Sequence, residues 1–266
     1  MKKIGLIAGG GVLPIEFVES AHLRGEKVIV LAFKDMASTE LLEKADKVYW
    51  LKLGQSGKAL FLLLKERLNR VALLGKVSRE NIHKNTVYDR ETREVFGAIK
   101  NKKDYSILKE VTRRLEKLGV KVIDPSEYLV HLIPEKGILT KGFLDEKLAG
   151  DMEFGYTTAK ELAGMDIGQT IIVKDRTVVA AEAMEGTDAT IERGRGIAGE
   201  GCVMVKVSRP GQDMRWDVPT VGPDTIKRLA VNKYRGIAIE SGKMFLIHQK
   251  KCIQLAEEAG IAIKVF

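Results

Sequence analysis

The sequence predicts an α/β protein with an N-terminal Rossmann-like parallel sheet domain and a C-terminal mixed α/β domain. Three observations support this prediction. Strand-like and helix-like segments alternate through the first half, three glycines follow the first strand, and a hairpin pattern appears in the second half. The pattern changes after Pro134, so we place the two domains at residues 1–134 and 135–266.

The elements of the first half follow from apolar runs and from the residues that interrupt them. Apolar, partly β-branched runs predict buried strands at residues 3–8, 27–33, 48–53, 71–77 and 120–123. Apolar residues at helical spacing predict helices at residues 13–23, 56–68 and 105–118. Pro14 stands where the first turn of a helix accepts proline, and Gly119 ends the third helix. This regular alternation indicates a parallel sheet with helices on its faces.

The second half mixes hairpins with helices. Residues 174–176 are predicted to join two hairpin strands at 169–173 and 177–181. Further strands are predicted at residues 203–207, 237–240 and 244–248. Helices are predicted at residues 151–163, 187–193, 225–232 and 251–259, whereas residues 213–223 are polar and irregular.

Composition narrows the class of partner and the compartment. The chain has 266 residues, of which 45% are hydrophobic and 30% are charged, and its net charge of +8 favours anionic partners. Basic and aromatic residues do not interleave, which disfavours nucleic acid. Two cysteines and four histidines do not form a zinc or disulfide framework. Glycines and Pro14 interrupt the apolar start, and no apolar run could span a bilayer, so we expect a cytoplasmic protein.

The glycines that follow the first strand predict a tight turn where a phosphate could approach the backbone. Gly10, Gly11 and Val12 lead into the first helix, whose N-terminus favours negative charge. Pro14 stands where a dinucleotide fingerprint needs glycine, and no acidic residue ends the second strand, so an NAD site is doubtful. A tight turn without a ligand is the alternative. Lys76 ends a buried strand and is interpreted as a phosphate contact or as a solvated loop lysine.

A segment in the second half combines carboxylates with a cation. Asp213, Arg215 and Asp217 would share one face of an extended stretch. Two close carboxylates can hold Mg²⁺ or activate water, and a guanidinium suits phosphate oxygens. Pyrophosphate cleavage needs this combination, because metal and cations offset the charge that shifts to the leaving phosphate. A surface salt-bridge cluster is the alternative.

An earlier segment, residues 182–188, carries further acidic residues directly after a predicted strand. Glu185 and Asp188 could join the same site, and Gly186 allows an unusual turn between them. Asp188 or Thr187 could equally cap the helix that follows.

Residues 54–58 suggest a P-loop, but the spacing is wrong and Ala59 follows the lysine, so we expect an ordinary helix start.

The two acidic segments of the second half resemble signature stretches of a family of bacterial UDP-2,3-diacylglucosamine pyrophosphatases. This family replaces the calcineurin-like enzyme in many lineages. The resemblance lies in Glu182-Ala-Met-Glu-Gly-Thr-Asp188 and in Gln212-Asp-Met-Arg-Trp-Asp-Val-Pro-Thr-Val-Gly-Pro-Asp-Thr225. It extends to residues 4–14, 75–77 and 166–169, in order along essentially the whole chain.

The resemblance implies a two-domain hydrolase of lipid A biosynthesis with its lipid substrate in a cleft between the domains. It implies Mg²⁺-dependent hydrolysis of UDP-2,3-diacylglucosamine to UMP and 2,3-diacylglucosamine 1-phosphate, with water attack on the phosphorus attached to the sugar. Mn²⁺ is the alternative metal, because both ions take oxygen ligands. Asp213 and Asp217 are then the catalytic candidates, and Asp213, Asp217 and Asp188 the metal ligands. The substrate-binding candidates are Gly10, Gly11, Val12, Lys76, Glu185, Gly186, Thr187, Asp188, Lys206, Gln212, Arg215 and Thr220.

Two other functions are weighed against this hydrolase. One is a nucleotide-cofactor oxidoreductase on the Rossmann-like half, which lacks the glycine and the acidic residue noted above. The other is a non-enzymatic module that binds UDP-sugar lipids and releases no UMP. The net charge of +8 also predicts peripheral attachment to an anionic inner membrane. Oligomeric state is left open, with a homodimer among the alternatives.

Overall fold

A five-stranded parallel sheet forms the centre of the first half of the chain. The computed structural model describes residues 2–77, 88–99, 104–142, 144–216 and 218–266. The strand order is β3-β2-β1-β4-β5, and every neighbouring pair is parallel. The strands are β1 (Lys3–Ala8), β2 (Lys27–Phe33), β3 (Lys47–Leu51), β4 (Arg70–Leu74) and β5 (Lys121–Val122).

Helices connect these parallel strands. They are α1 (Leu13–Leu23), α2 (Leu41–Lys44), α3 (Ser56–Lys65), α4 (Arg90–Ala98) and α5 (Asp104–Lys117). Two short 3-10 helices, Pro125–Glu127 and Val130–Leu132, follow β5. Five consecutive residues of β2, Val28 to Ala32, are buried, as expected for a strand covered on both faces.

The second half is built on a six-stranded mixed sheet with the order β6-β13-β11-β9-β7-β8. The central strands β9, β11 and β13 are parallel, whereas β7 runs antiparallel to both β8 and β9. The strands of this sheet are β6 (Gly137–Ile138), β7 (Thr170–Lys174), β8 (Thr177–Ala181), β9 (Val203–Lys206), β11 (Gly236–Ile239) and β13 (Ala262–Val265). A two-stranded parallel sheet pairs β10 (Thr220–Val221) with β12 (Phe245–Leu246).

Helices pack on both faces of the six-stranded sheet. Val203 and Val205 of β9 join one buried cluster with α6 (Glu146–Gly164), and the intervening Met204 joins another. That second cluster contains residues of α7 (Thr187–Ala198), α8 (Pro223–Val231) and α9 (Gln249–Glu258). None of the described helices combines the length and the apolarity that crossing a membrane requires.

The chain divides into two compact units. The first runs to Val130 and includes residues 214–216, and the second comprises His131–Asp213 and Val218–Phe266. The predicted fold class, a Rossmann-like parallel sheet plus a mixed α/β half, is confirmed. Some helices and strands begin or end at residues other than those predicted from the sequence. Helix α6 begins at Glu146 rather than residue 151, because the Asp145 side chain caps it by accepting from the Leu148 N–H at 2.8 Å.

Candidate functional site

Polar side chains gather where β9 ends, at one edge of the six-stranded sheet. Lys206 is the last residue of β9, and the strand register places it beside Thr170 of β7 and Ile239 of β11. Glu182 directly follows β8, and its N–H donates to the Thr170 carbonyl at 2.8 Å. Helix α7 begins at this same edge, since Thr187 is its first residue.

Lys206, Thr187 and Glu182 form a hydrogen-bonded chain at this edge. The Lys206 Nζ donates to the Thr187 Oγ1 at 2.9 Å, and this hydroxyl donates to the Glu182 Oε1 at 2.8 Å. The hydroxyl of Thr170 lies 3.4 Å from that of Thr187. An ammonium beside a helix N-terminus suits an anionic oxygen, because the lysine charge and the helix dipole attract it together.

The second carboxylate oxygen of Glu182 is unusual. Its Oε2 is shielded from solvent and accepts no hydrogen bond from any residue that the structure describes. Desolvating a carboxylate oxygen without a donor costs free energy, so this oxygen is a candidate contact for water, a cation or a ligand. Glu182 belongs to the acidic motif of the sequence but is not among the site residues predicted from it. The position of Glu182 directly after the strand predicted at residues 177–181 is the sequence feature that could have identified it as a site residue.

Gln212 lies in the loop that follows β9, and side chains fix it there. The Gln212 Oε1 accepts from the Gln169 Nε2 at 2.9 Å, and the Gln212 N–H donates to the Arg209 carbonyl at 3.1 Å. Gln169 immediately precedes β7 and its carbonyl accepts from the Val207 N–H at 2.9 Å. This loop therefore carries Gln212, and next to it Asp213, beside the sheet edge where Lys206 lies.

Two acidic candidates of the 182–188 segment have arginine partners. The Glu185 Oε1 lies 2.5 Å from the Arg193 Nη2, and hydrogen bonds from its own backbone N–H and from Arg193 lower the pKa of Glu185. The Asp188 Oδ2 lies 3.3 Å from the Arg228 Nη2. Gly186 has a φ of +84° and directly precedes α7, so its predicted role in an unusual turn is confirmed.

The segment around Arg215 differs from its predicted geometry. Residues 214 and 215 form a turn, so the expected extended stretch is wrong for the described residues. Arg215 groups with the first unit, where its Nη1 lies 2.9 Å from the Glu116 Oε1 of α5, and Trp216 is buried in a cluster of that unit. Asp217 lies outside the described residues. Thr220 begins β10 and is opposite Phe245.

The glycine-rich loop of the first unit packs against the end of β4. Gly10 and Lys76 exchange two backbone hydrogen bonds of 2.8 Å. A Cβ at Gly9 would lie 2.6 Å from the Lys76 carbonyl oxygen, so close backbone approach accounts for glycine there. Gly11, with a φ of +95°, has open space beside it and leads through Val12 into α1. These contacts explain Gly9, whereas the phosphate contacts of Gly10, Gly11, Val12 and Lys76 stay predictions.

The predicted metal ligands are not assembled by the described residues. No three His, Cys, Asp or Glu side chains within the described part of the chain are grouped closely enough to hold a metal ion. Asp188 is paired with Arg228, and Asp217 lies outside the described residues. The ligand set Asp213, Asp217 and Asp188 therefore stays a prediction, and the contacts of these residues do not supply its geometry.

The fold and this site define a two-unit α/β protein with a lysine, a hydroxyl and a carboxylate at the edge of its second sheet. Two family models match the chain: the LpxI N-terminal domain over residues 3–132 and the LpxI C-terminal domain over residues 135–264. The chain belongs to the LpxI family. It is 30% identical to the UDP-2,3-diacylglucosamine pyrophosphatase LpxI of Caulobacter vibrioides, over 99% of this chain and 97% of that relative.

Solved structures show only distant likeness. A biotin carboxylase domain of a thermophilic 2-oxoglutarate carboxylase is 12% identical, with a TM-score of 0.30, over 74% of this chain and 33% of that one. An N5-carboxyaminoimidazole ribonucleotide synthetase from Thermotoga maritima is 18% identical, with a TM-score of 0.28, over 68% of this chain and 42% of that one. Similarity this low carries no argument about fold or function.

Proposed function

We propose that the chain hydrolyses the pyrophosphate bond of UDP-2,3-diacylglucosamine, giving UMP and 2,3-diacylglucosamine 1-phosphate, as a step of lipid A biosynthesis. Family membership over both halves supports this activity, together with the function that names the 30% identical Caulobacter relative. The supporting structural observation is the Lys206–Thr187–Glu182 chain at the sheet edge, since it offers a cation and a helix N-terminus to a diphosphate.

In the proposed reaction water attacks the phosphorus attached to the sugar. The water oxygen becomes part of the sugar 1-phosphate, and the bridging oxygen leaves with UMP. Lys206 would attract the diphosphate oxygens and offset the charge that accumulates on them. Glu182, through its hydrogen bond from Thr187, would keep the threonine hydroxyl turned so that it accepts from Lys206. Reaction in ¹⁸O-water should therefore label the sugar phosphate and leave UMP unlabelled.

The remaining site candidates are part of the proposal. Asp213 and Asp217 are the proposed catalytic carboxylates, and with Asp188 they are the proposed ligands of Mg²⁺ or Mn²⁺. Carboxylate oxygens suit either metal. A bound metal would supply Lewis-acid stabilisation of phosphate charge. Gln212, Arg215 and Thr220 remain proposed substrate contacts, as do the glycine-loop residues.

The deciding experiment measures UMP release from UDP-2,3-diacylglucosamine with and without EDTA. We expect turnover in the parent chain, loss on chelation, and recovery on adding Mg²⁺. Asp213→Ala should abolish turnover and Lys206→Ala should lower it by about 100-fold, the cost typical of losing one group that stabilises developing charge. Lys250→Ala, which removes an exposed lysine of α9, is the matched charge control and should leave turnover unchanged.

Two outcomes would replace the proposal. Substrate binding without UMP release would favour a binding module, and thermal stabilisation by NAD(P) but not by UDP-sugars would favour an oxidoreductase. The proposed attachment to the inner membrane is tested separately, by sedimentation with vesicles that contain anionic lipid. Binding driven by the net charge of +8 should weaken as salt is raised, because salt screens exposed charge.

A further inference from the structure

A partly exposed lysine and a buried glutamate form an ion pair at the same edge of the six-stranded sheet. Glu240 directly follows β11 and is only 7% exposed. Its two carboxylate oxygens lie 3.0 and 3.1 Å from the Nζ of Lys160, which projects from α6. Although burial raises the pKa of Glu240, hydrogen bonds from Ser208 and Lys160 outweigh it and the net shift is downward.

The Lys160–Glu240 pair forms hydrogen bonds with the N–H, the hydroxyl and the carbonyl of Ser208, which lies in the loop after β9. Ser208 is fully buried, and both its N–H and its Oγ donate to the Glu240 Oε2 at 2.8 Å. The Ser208 carbonyl accepts from the Lys160 Nζ at 3.0 Å. The pair and the serine thus form a clamp, defined here as Lys160, Glu240 and Ser208, which ties the loop to one helix and to the end of one strand.

The clamp holds a loop that carries candidate site residues. Ser208 lies two residues after Lys206 and five before Asp213, so the clamped point stands between the lysine of the site and the proposed catalytic carboxylate. The other end of the loop is held by the bond from Gln169 to Gln212. A short loop fixed at both ends retains little freedom to displace Asp213.

Stability alone is a weak reason for such a pair. Apolar residues of similar volume replace many buried ion pairs with no loss of stability, because desolvating the two charges offsets their attraction. Removing both charges here would leave the Ser208 N–H and hydroxyl without their acceptor and its carbonyl without its donor. The loop would therefore lose hydrogen-bond free energy and would no longer be held in position.

We propose that Lys160 and Glu240 are positioning residues for the reaction, and that they act by clamping Ser208 and so fixing the loop that carries Gln212 and Asp213. The activity readout of this inference rests on the proposed hydrolysis. Neither residue lies in the motifs quoted from the sequence, because Lys160, Ser208 and Glu240 are far apart along the chain and only the fold brings them together.

The test compares the intact chain with the double variant Lys160→Met/Glu240→Leu, which removes both charges at similar volume. We expect its melting temperature to fall, because the buried Ser208 N–H and hydroxyl lose their acceptor, and the destabilised Asp151→Asn control below separates that loss of stability from the loss of kcat. We expect kcat for UMP release to fall by about 100-fold, because a small misplacement of reacting groups has an effect of this size. KM should change little. Glu240→Gln keeps an acceptor for Ser208, so its kcat should lie between that of the parent and that of the double variant. It also provides the kcat measurement if the double variant does not fold.

Asp151→Asn is the matched control. Asp151 is 4% exposed and lies on α6 like Lys160, but its carboxylate accepts the N–H groups of Asp175 and Arg176, in the hairpin at the opposite edge of the sheet. This variant should lose stability with kcat unchanged. Parent-like kcat in the folded double variant, or in Glu240→Gln if the double variant does not fold, would overturn the proposal.

Hydrogen exchange separates this inference from the proposed function. The backbone amides of residues 208, 209 and 211–213 should exchange faster in the double variant, or in Glu240→Gln in its place, and at the parent rate in Asp151→Asn. If the parent releases no UMP, the proposed function fails, while the exchange pattern still decides whether the clamp fixes the loop. Unchanged exchange in that loop would refute the clamp even in an active enzyme.

Discussion

Asp89 shows how one side chain can serve two helices. Its Oδ1 accepts from the Thr92 N–H at 2.8 Å and caps α4, and its Oδ2 accepts from the Gly57 N–H at 2.8 Å in the first turn of α3. Although burial raises the pKa of Asp89, hydrogen bonds from Thr92 and Gly57 lower it overall. The helix start that resembled a P-loop is therefore occupied by a carboxylate of the chain itself.

Asp89→Ala should lower the free energy of unfolding by about 1–2 kcal/mol, since a lost N-cap typically costs about 1 kcal/mol and this residue serves two helices. Urea denaturation measures the change. Asp224→Ala, which removes an exposed carboxylate from the first turn of α8, should shift stability by less than about 0.5 kcal/mol. Equal effects of the two substitutions would contradict the double-cap interpretation.

The residue-level prediction named Lys206 and Thr187, which the fold brings together, and it named Glu185 rather than Glu182 within the acidic motif. Glu182 and Glu185 are three residues apart and chemically alike, so composition could not rank them. The fold distinguishes them, because β8 ends at Ala181 and the next residue turns toward Thr187, whereas Glu185 pairs with Arg193. Lys160 and Glu240 had no local pattern to identify them.

At the scale of elements, apolar periodicity predicted the long helices and the buried strands. It missed α2, which has four residues, and α4, whose sequence is rich in charge. It ended α7 at Arg193, although the helix continues to Ala198 through Gly194. Glycine is required there because a Cβ would lie 2.8 Å from both Ile172 and Tyr234. Close packing between elements therefore explains why a glycine lies inside this helix, which local helix propensity disfavours.

The β7–β8 hairpin offers an element-scale prediction. Its two-residue turn has φ of +52° at Asp175 and +53° at Arg176, a backbone region that favours glycine. Arg176→Gly should therefore raise the free energy of unfolding by about 0.5–1 kcal/mol, since relief of left-handed strain exceeds the added freedom of the unfolded chain. Chemical denaturation measures the gain.

Thr177→Gly is the control for that substitution. Thr177 is the first residue of β8, and glycine within a strand should lower stability by roughly 0.5–1 kcal/mol. The side chain of Arg176 lies against Gly150, so loss of this contact opposes the gain. A destabilised Arg176→Gly variant would show that the packing on α6 outweighs the backbone strain.

At the scale of the whole molecule, acidic groups in both units have lowered pKa values, and the chain carries a net charge of +8. Hydrogen bonds from Lys47 lower the pKa of Glu66, and those from Arg113 lower that of Glu110 to about 2. In the second unit the same direction holds for Asp145, Asp175, Glu185, Glu200 and Glu240. The fold is therefore expected to lose stability in acid.

The sign follows from proton linkage. A carboxyl whose folded pKa is lowered contributes stability above its unfolded pKa, and this contribution is lost as pH falls through the folded value. Protonation also raises the net positive charge and so adds repulsion in the compact state. The urea midpoint should therefore change little between pH 6 and pH 8 and fall steadily below about pH 4.5, as these carboxyls become protonated.

Glu110→Gln isolates one contribution to that acid sensitivity. Glu110 accepts from Arg113 and Arg114 on the same helix, so the variant should be less stable than the parent near neutral pH. The difference should shrink between pH 4.5 and about 2, where the parent carboxyl itself becomes protonated. Glu161→Gln, which removes one exposed carboxylate of α6, controls for the change in net charge and should follow the parent curve. A Glu110→Gln curve that runs parallel to the parent throughout this range would show that these arginine contacts do not contribute to acid unfolding.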